Sequence, residues 1–297
     1  MKKILFFLCI IILPPLILNN FCINKQSPKI EKIKNVFIRI KKSSGDIIKV
    51  NMEDYIIGVL AGEMPINFEL EALKAQAVAA RSYAFNRINK DKLYDVVDTT
   101  ANQVYRSEEY LESVWQDNYY NNIKKITNAV NQTSNEYIFY KNKIIDAFFF
   151  STSSGMTENS IDVFGFEKPY LQSVDSSWDI NSPSFISKSI IAKQEFMSKL
   201  KVKNFNISNI KKNKSGSINT LTIDNKIITG LEFRKLFNLK STNFEMERQE
   251  NNIIIKTKGF GHGVGMSQYG AQHLAKKGYD YKKIIQHYYK NVEILKK

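Results

Sequence analysis

The run EALKAQAVAARSYAFNRI constrains this chain more than any other feature, because it specifies a helix over about 69–88 that several neighbours must pack against. Leu70, Leu73, Ala77, Ala80 and Ala84 recur at three- and four-residue spacing, and Asn67 stands where it can cap the first turn. The side chains of Ala72, Ala75, Ala77, Ala79 and Ala80 are small enough for other backbones to approach closely. Such a helix is expected at the centre of a domain.

The flanking sequence fits an α+β class, with mixed helices and short antiparallel strands around that central helix. Val36-Phe37-Ile38-Arg39-Ile40 and Ile47-Ile48-Lys49-Val50, joined by Ser43-Ser44-Gly45-Asp46, read as a hairpin. A short helix follows from near Met52, with Ile56, Val59 and Leu60 on one face, and Met64-Pro65 breaks it. A further helix is expected over 107–130 and strands over 137–140 and 143–150. From 180 to 250 weak helices at 192–200 and 230–236 alternate with Ile-rich strands at 217–223 and 226–228, a pattern that suggests an inserted subdomain. The chain closes with a strand at 252–257, a glycine-rich loop, and helices near 268–277 and 281–289. Gly278 stands where a C-terminal cap wants a glycine.

Lys2 and Lys3 precede an apolar, uncharged stretch from Ile4 to Asn24, long enough for a transmembrane helix of roughly 20 residues. It ends Leu18-Asn19-Asn20-Phe21-Cys22, without the small-residue pattern of a cleaved signal. The expected organisation is an N-terminal anchor over 1–24, a lysine-rich linker over 25–35, and one domain over 36–297. The positive-inside rule places that domain outside the cytoplasm. Both cysteines, Cys9 and Cys22, lie in or beside the apolar stretch, so the domain itself carries no disulfide. The net charge of +14, concentrated in part at 29–42 and 199–214, indicates a polyanionic neighbourhood. It does not by itself indicate nucleic acid, for which no aromatic and basic motif is present.

Three constellations carry candidate chemistry. Glu63, Glu69 and Glu71 fall within nine residues at the head of the alanine-rich helix. A glycosidase needs a carboxylic acid at the scissile oxygen, although acids in a first turn also simply complement the helix dipole. A helix N-terminus and Lys74 both oppose the raised pKa that a general acid requires, so an apolar pocket is needed, with Met64, Phe68, Phe148 and Phe150 as candidate walls. The second constellation, Phe150-Ser151-Thr152-Ser153-Ser154-Gly155-Met156, suits a sugar-binding loop by its hydroxyls, or an ordinary polar turn. The third is Gly259-Phe260-Gly261-His262-Gly263-Val264-Gly265, whose glycines allow close backbone approach, with His262 and Gln268 nearby. No βαβ unit follows it, which argues against nucleotide binding. His262, His273 and His287 show no metal spacing, and no metal is assigned.

The segments YIIGVLAGEMPINFELEALKAQAVAARSYA, FFFSTSSGMTENS, GLEFRKLFNLKSTNF and GFGHGVGMSQYGAQHLAKKGYDYKKIIQHYYK resemble the stage II sporulation protein D family, in the family's order, over nearly everything after Val36. The resemblance implies a catalytic domain outside the cytoplasm, in the space between mother cell and forespore. The implied activity is that of a lytic transglycosylase acting on MurNAc–GlcNAc bonds of peptidoglycan glycan strands during engulfment. An amidase, stage II sporulation protein P, with its membrane partner protein M, first removes the stem peptides from those strands. The family's catalytic glutamate falls on Glu71, with Glu63 of GEMP as the competitor. Tyr83, Gln103, Tyr105, Ser151, Thr152 and His262 become candidates for orienting the glycan, and no cofactor is implied. Relatives that carry His and Cys around the hydroxyl loop have a set suited to zinc; here Phe150, Ser153 and Met156 hold those positions. Because related proteins are known as amidase enhancers, the rival reading is a non-catalytic peptidoglycan-binding activator of a cell-wall amidase.

Overall fold

A computed structural model describes residues 36–297. The expected anchor over 1–24 and linker over 25–35 lie outside the described residues. Among the described residues no helix is long and apolar enough to cross a membrane.

Nine helices occur among the described residues: α1 Met52–Glu63, α2 Leu70–Phe85, α3 Glu108–Trp115, α4 Tyr119–Gln132, α5 Ser160–Phe164, α6 Lys193–Leu200, α7 Gly230–Leu236, α8 Gln268–Lys276 and α9 Tyr281–Tyr288. The alanine-rich α2 is central. The alanines of its small face are fully buried, and α1, α4, α8, α9 and the strand Glu136–Tyr140 pack around it. Asn67 is not its cap. Glu69 occupies the N-cap position without a side-chain bond, and its own amide donates to Gln272 Oε1 at 2.7 Å, so α8 supplies the partner. The helix expected over 107–130 is broken into α3 and α4 at Gln116, whose φ of 46° interrupts the regular turn. Capping elsewhere follows the sequence: Ser107, Ser267 and Asp280 accept first-turn amides, and Thr229 and Glu232 form a reciprocal capping box.

The hairpin Phe37–Lys41 with Ile47–Asn51 forms as expected. Two pairings are parallel, which the expectation of antiparallel strands missed: Phe37–Lys41 also pairs with Val96–Val97, and Phe149–Phe150 pairs with Met266–Ser267. These two-residue partners are too short to show an alternating pattern in sequence. A third sheet is ordered Glu293–Lys296, Glu136–Tyr140, Lys143–Ile144.

The apolar residues form two clusters. The larger surrounds α1, α2, α8 and α9. The smaller runs from Ile191 to Ile255 and includes Phe196, Phe233, Phe237 and Phe244 from α6, α7 and two three-stranded sheets. One sheet is ordered Asn243–Gln249, Asn252–Lys258, Ile186–Ala192, so the strand after residue 250 belongs to this second cluster.

Candidate active site

The C-terminal half of α1 lies against the segment 103–106, and two glycines one turn apart allow it. A Cβ on Gly62 would stand 2.2 Å from the Val104 carbonyl oxygen, and one on Gly58 would stand 2.4 Å from the Tyr105 ring. Arg106 N–H donates to the Gly58 carbonyl at 3.1 Å, and Val104 N–H donates to Glu63 Oε1 at 2.7 Å. The sequence Gly58-Val59-Leu60-Ala61-Gly62-Glu63 thus brings a backbone segment into contact with a helix and fixes a carboxyl beside it.

The pKa of that carboxyl is shifted in the direction that a general acid requires. Burial raises the pKa of Glu63, against the opposing pull of the Val104 amide, the Gln268 side chain and the Arg106 charge. Gln268 comes from the first turn of α8. Its amide nitrogen faces the carboxyl without closing a hydrogen bond of good geometry, and is buried and unpartnered. Tyr55 lies close by; burial pushes its pKa well up, and the fields of Tyr83, Glu63 and Tyr105 add to that. Its hydroxyl donates to Gln103 Oε1 at 2.9 Å, Gln103 Nε2 donates to the Ala80 carbonyl at 3.3 Å, and Asn102 Nδ2 donates to the Tyr83 hydroxyl at 3.2 Å. Tyr55 and Tyr105 stack at 5.7 Å. Glu63, Tyr83, Gln103 and Tyr105, distant in sequence, therefore gather in one neighbourhood. Tyr55 and Gln268 complete it. Tyr55 falls on the helical face that the sequence marks only as apolar.

Glu71 has different surroundings. Lys74 Nζ donates to its Oε1 at 2.7 Å, the Tyr281 amide at the head of α9 donates to its Oε2 at 2.8 Å, and its side chain is 32% exposed. The Tyr281 hydroxyl continues to Glu136 Oε2 at 2.9 Å. Met64 and Phe68 are turned into the main core, while Phe148 and Phe150 surround His262. Glu71 thus fastens α9 to the head of α2.

Thr152 and Ser153 of the hydroxyl loop are packed inward, while Ser151 and Ser154 stay partly exposed. Thr152 is 2% exposed; it exchanges backbone bonds with Phe260 at 3.0 and 2.8 Å, and its Oγ1 contacts Ser182 Oγ at 2.9 Å and Ser151 Oγ at 3.2 Å. Asp179, which no sequence motif marks, anchors the loop. It accepts from the Ser153 amide at 2.6 Å, from Ser176 Oγ at 3.0 Å and from the Ser267 hydroxyl, and burial raises its pKa to about 6.

His262 is also structural. Its Nδ1 accepts the Val264 amide at 3.0 Å, and Phe148, Phe150 and Phe164 surround it. Burial lowers its pKa to about 4, keeping it neutral. The glycines beside it serve close approach: at Gly265, φ is 80° and a Cβ would meet the Phe148 carbonyl oxygen at 2.0 Å. Among the described residues no group of three or more His, Cys, Asp or Glu is placed to hold a metal.

A half-buried carboxyl among tyrosines and side-chain amides, on an α+β scaffold, has the make-up of an acid–base centre. Comparison with known proteins identifies the lineage. Residues 41–140 match the family model described as stage II sporulation protein. The chain is 41% identical over 266 residues to stage II sporulation protein D of Bacillus amyloliquefaciens, covering 86% of this chain and 77% of that protein. It is 38% identical over 274 residues to stage II sporulation protein D of Bacillus subtilis, covering 89% and 80%. It is 30% identical over 290 residues to the amidase enhancer of Bacillus subtilis, covering 78% of this chain but 39% of that protein. The chain belongs to the stage II sporulation protein D family.

Proposed function

We propose that the chain is a lytic transglycosylase that cleaves MurNAc–GlcNAc bonds of peptide-free peptidoglycan strands during engulfment, with Glu63 as its acid and base. The observation that carries this reading is the burial of the Glu63 carboxyl amid Tyr55, Tyr83, Gln103, Tyr105 and Gln268, which raises its pKa. Protonated Glu63 donates to the glycosidic oxygen as the bond to C1 breaks. The resulting carboxylate then takes the proton of the muramyl C6 hydroxyl, whose oxygen closes onto C1 as a 1,6-anhydro ring. One carboxyl serves both steps, so the second carboxylate of hydrolytic glycosidases is not needed. Gln268 offers an unpartnered amide nitrogen, and Tyr105 a partly exposed ring and hydroxyl, to orient the sugars, while the buried Tyr83 and Gln103 hold Asn102 and Tyr55 in place. In this reading residues 1–24 anchor the chain with its domain outside the cytoplasm. The amidase protein P and its membrane partner protein M prepare the strands.

Glu71, the other candidate, is bonded to Lys74 and to the head of α9. The likeness to an amidase enhancer favours a second reading, a non-catalytic peptidoglycan-binding activator of an amidase. Purified wild type, Glu63→Gln and Glu71→Gln, incubated with peptide-free glycan and followed by mass spectrometry, separate the three. Anhydromuramyl products are expected from wild type and Glu71→Gln and not from Glu63→Gln. The reverse pattern assigns the acid to Glu71. A wild type that releases nothing yet stimulates an amidase establishes the second reading.

A further inference from the structure

The Glu63 neighbourhood ends at Tyr83, and a run of aromatic rings begins there and reaches the surface. Phe148 meets Tyr83 edge-on at 5.7 Å, Phe164 lies 4.9 Å from Phe148, and Phe166 stacks on Phe164 at 5.6 Å with an interplanar angle of 21°. The local sequence Val163-Phe164-Gly165-Phe166 explains the last stack. Gly165 ends α5 in the left-handed region, with φ 75°, and turns the chain so that Phe166 folds back over Phe164. Phe166 is nevertheless 45% exposed, so core packing does not account for it.

Charges line the same run. The Arg87 guanidinium stands 4.1 Å over the Tyr83 ring, and Lys168 Nζ stands 5.5 Å from the Phe166 ring. Asp146 lies between them, 2.7 Å from each cation, and all three side chains are partly exposed. The two cations share one anion, and the exposed Glu167 lies between Phe166 and Lys168 in the chain, so the patch offers donors and acceptors of both signs.

We infer that the surface from Phe148 to Phe166 is a binding subsite for an amino-sugar polymer, holding sugars beyond the pair at the scissile bond. The inference rests on the substrate class proposed above. A pyranose presents an apolar C–H face that suits an exposed ring, and a rim of hydroxyl and acetamido groups that suits Arg, Lys and Asp. Muramic acid without its stem peptide also bears a free carboxylate, which complements Arg87 and Lys168.

Binding, measured in the Glu63→Gln background so that cleavage does not intervene, tests the subsite separately from the reaction. Soluble peptide-free glycan of defined length and a single MurNAc–GlcNAc disaccharide are titrated against that protein and its Phe166→Ala and Phe166→Trp derivatives. Loss of one stacked ring is expected to weaken long-strand binding roughly tenfold in Phe166→Ala, with Trp retaining it and disaccharide binding unchanged. Equal long-strand affinity in all three overturns the inference. So does a Phe166→Ala protein that binds glycan normally but no longer stimulates an amidase, because a protein would then be the occupant. Absence of cleavage by wild type, with long-strand binding still dependent on Phe166, overturns the catalytic reading and leaves the subsite standing.

Discussion

Arg81, with no side-chain exposure, grips Glu53 with both Nε and an Nη nitrogen, at 3.0 and 2.6 Å, and so ties the C-terminal half of α2 to the first turn of α1. Its other Nη nitrogen donates to the Glu136 carbonyl at 3.2 Å, and Glu53 also accepts the Asn135 amide. One buried cation therefore joins three elements.

Breaking that pair leaves a buried charge uncompensated. Glu53→Ala is expected to cost about 3–5 kcal/mol of folding stability, the range for removing one partner of a buried ion pair. Urea unfolding followed by circular dichroism measures it. A loss no larger than that of an exposed pair shows that Arg81 finds another partner.

Burial holds the Glu63 pKa above the ordinary carboxylate value, so the acid stays protonated to a higher pH than a solvated glutamate. The first step needs that proton. The kcat/KM for glycan cleavage is therefore expected to fall as pH rises through the Glu63 pKa. Gln268→Ala removes a group that lowers that pKa and should move the falling limb to higher pH. An unmoved limb in Gln268→Ala disconnects the two side chains.

Asp179 predicts a pH dependence of stability. Its pKa of about 6 in the fold exceeds the ordinary value near 3.8, so the native state binds more protons than the unfolded state between those values. Stability from this group is complete below the unfolded pKa and is lost as pH rises through about 6. Relative to Asp179→Asn, wild type should lose roughly 2–3 kcal/mol between about pH 4 and pH 7, since each tenfold difference in proton affinity between the two states is worth about 1.4 kcal/mol. Thermal melts of both proteins at successive pH values give the difference, and parallel curves exclude it.

The periodic parts of the chain were legible because burial of a single face imposes its period on the sequence. The alanines of α2 and the Gly278 stop were visible, and the helices at 193–200 and 230–236 fall within a residue or so of their expected positions. What did not show was contact at long range. Nothing local marks Val97 as a partner of Lys41, or Gln272 as the acceptor for the Glu69 amide across 203 residues. The site divides in the same way. Residue types marked Glu63 and Glu71, and the family resemblance added Tyr83, Gln103 and Tyr105, but only the fold sets Glu63 among the tyrosines and Glu71 against Lys74. Thr152 and His262 have side chains suited to sugars, and internal bonds occupy them.

Gly62 tests whether the geometry of α1 matters for more than packing. Its Cβ position is occupied by a backbone oxygen, which cannot rotate away as a flexible side chain would. Gly62→Ala must push segment 103–106 off α1, withdrawing the Val104 amide from Glu63 and shifting Gln103 and Tyr105 with it. Overpacking of this kind costs about 1–3 kcal/mol, an amount a folded domain can survive. Cleavage should fall much further than stability, because catalytic groups tolerate displacements of about 1 Å poorly. Glu63 should also lose an interaction that lowers its pKa, so residual activity should extend to higher pH than in wild type. A Gly62→Ala protein that melts lower yet cleaves glycan at the wild-type rate and with the wild-type pH profile would remove the 103–106 segment from the active site.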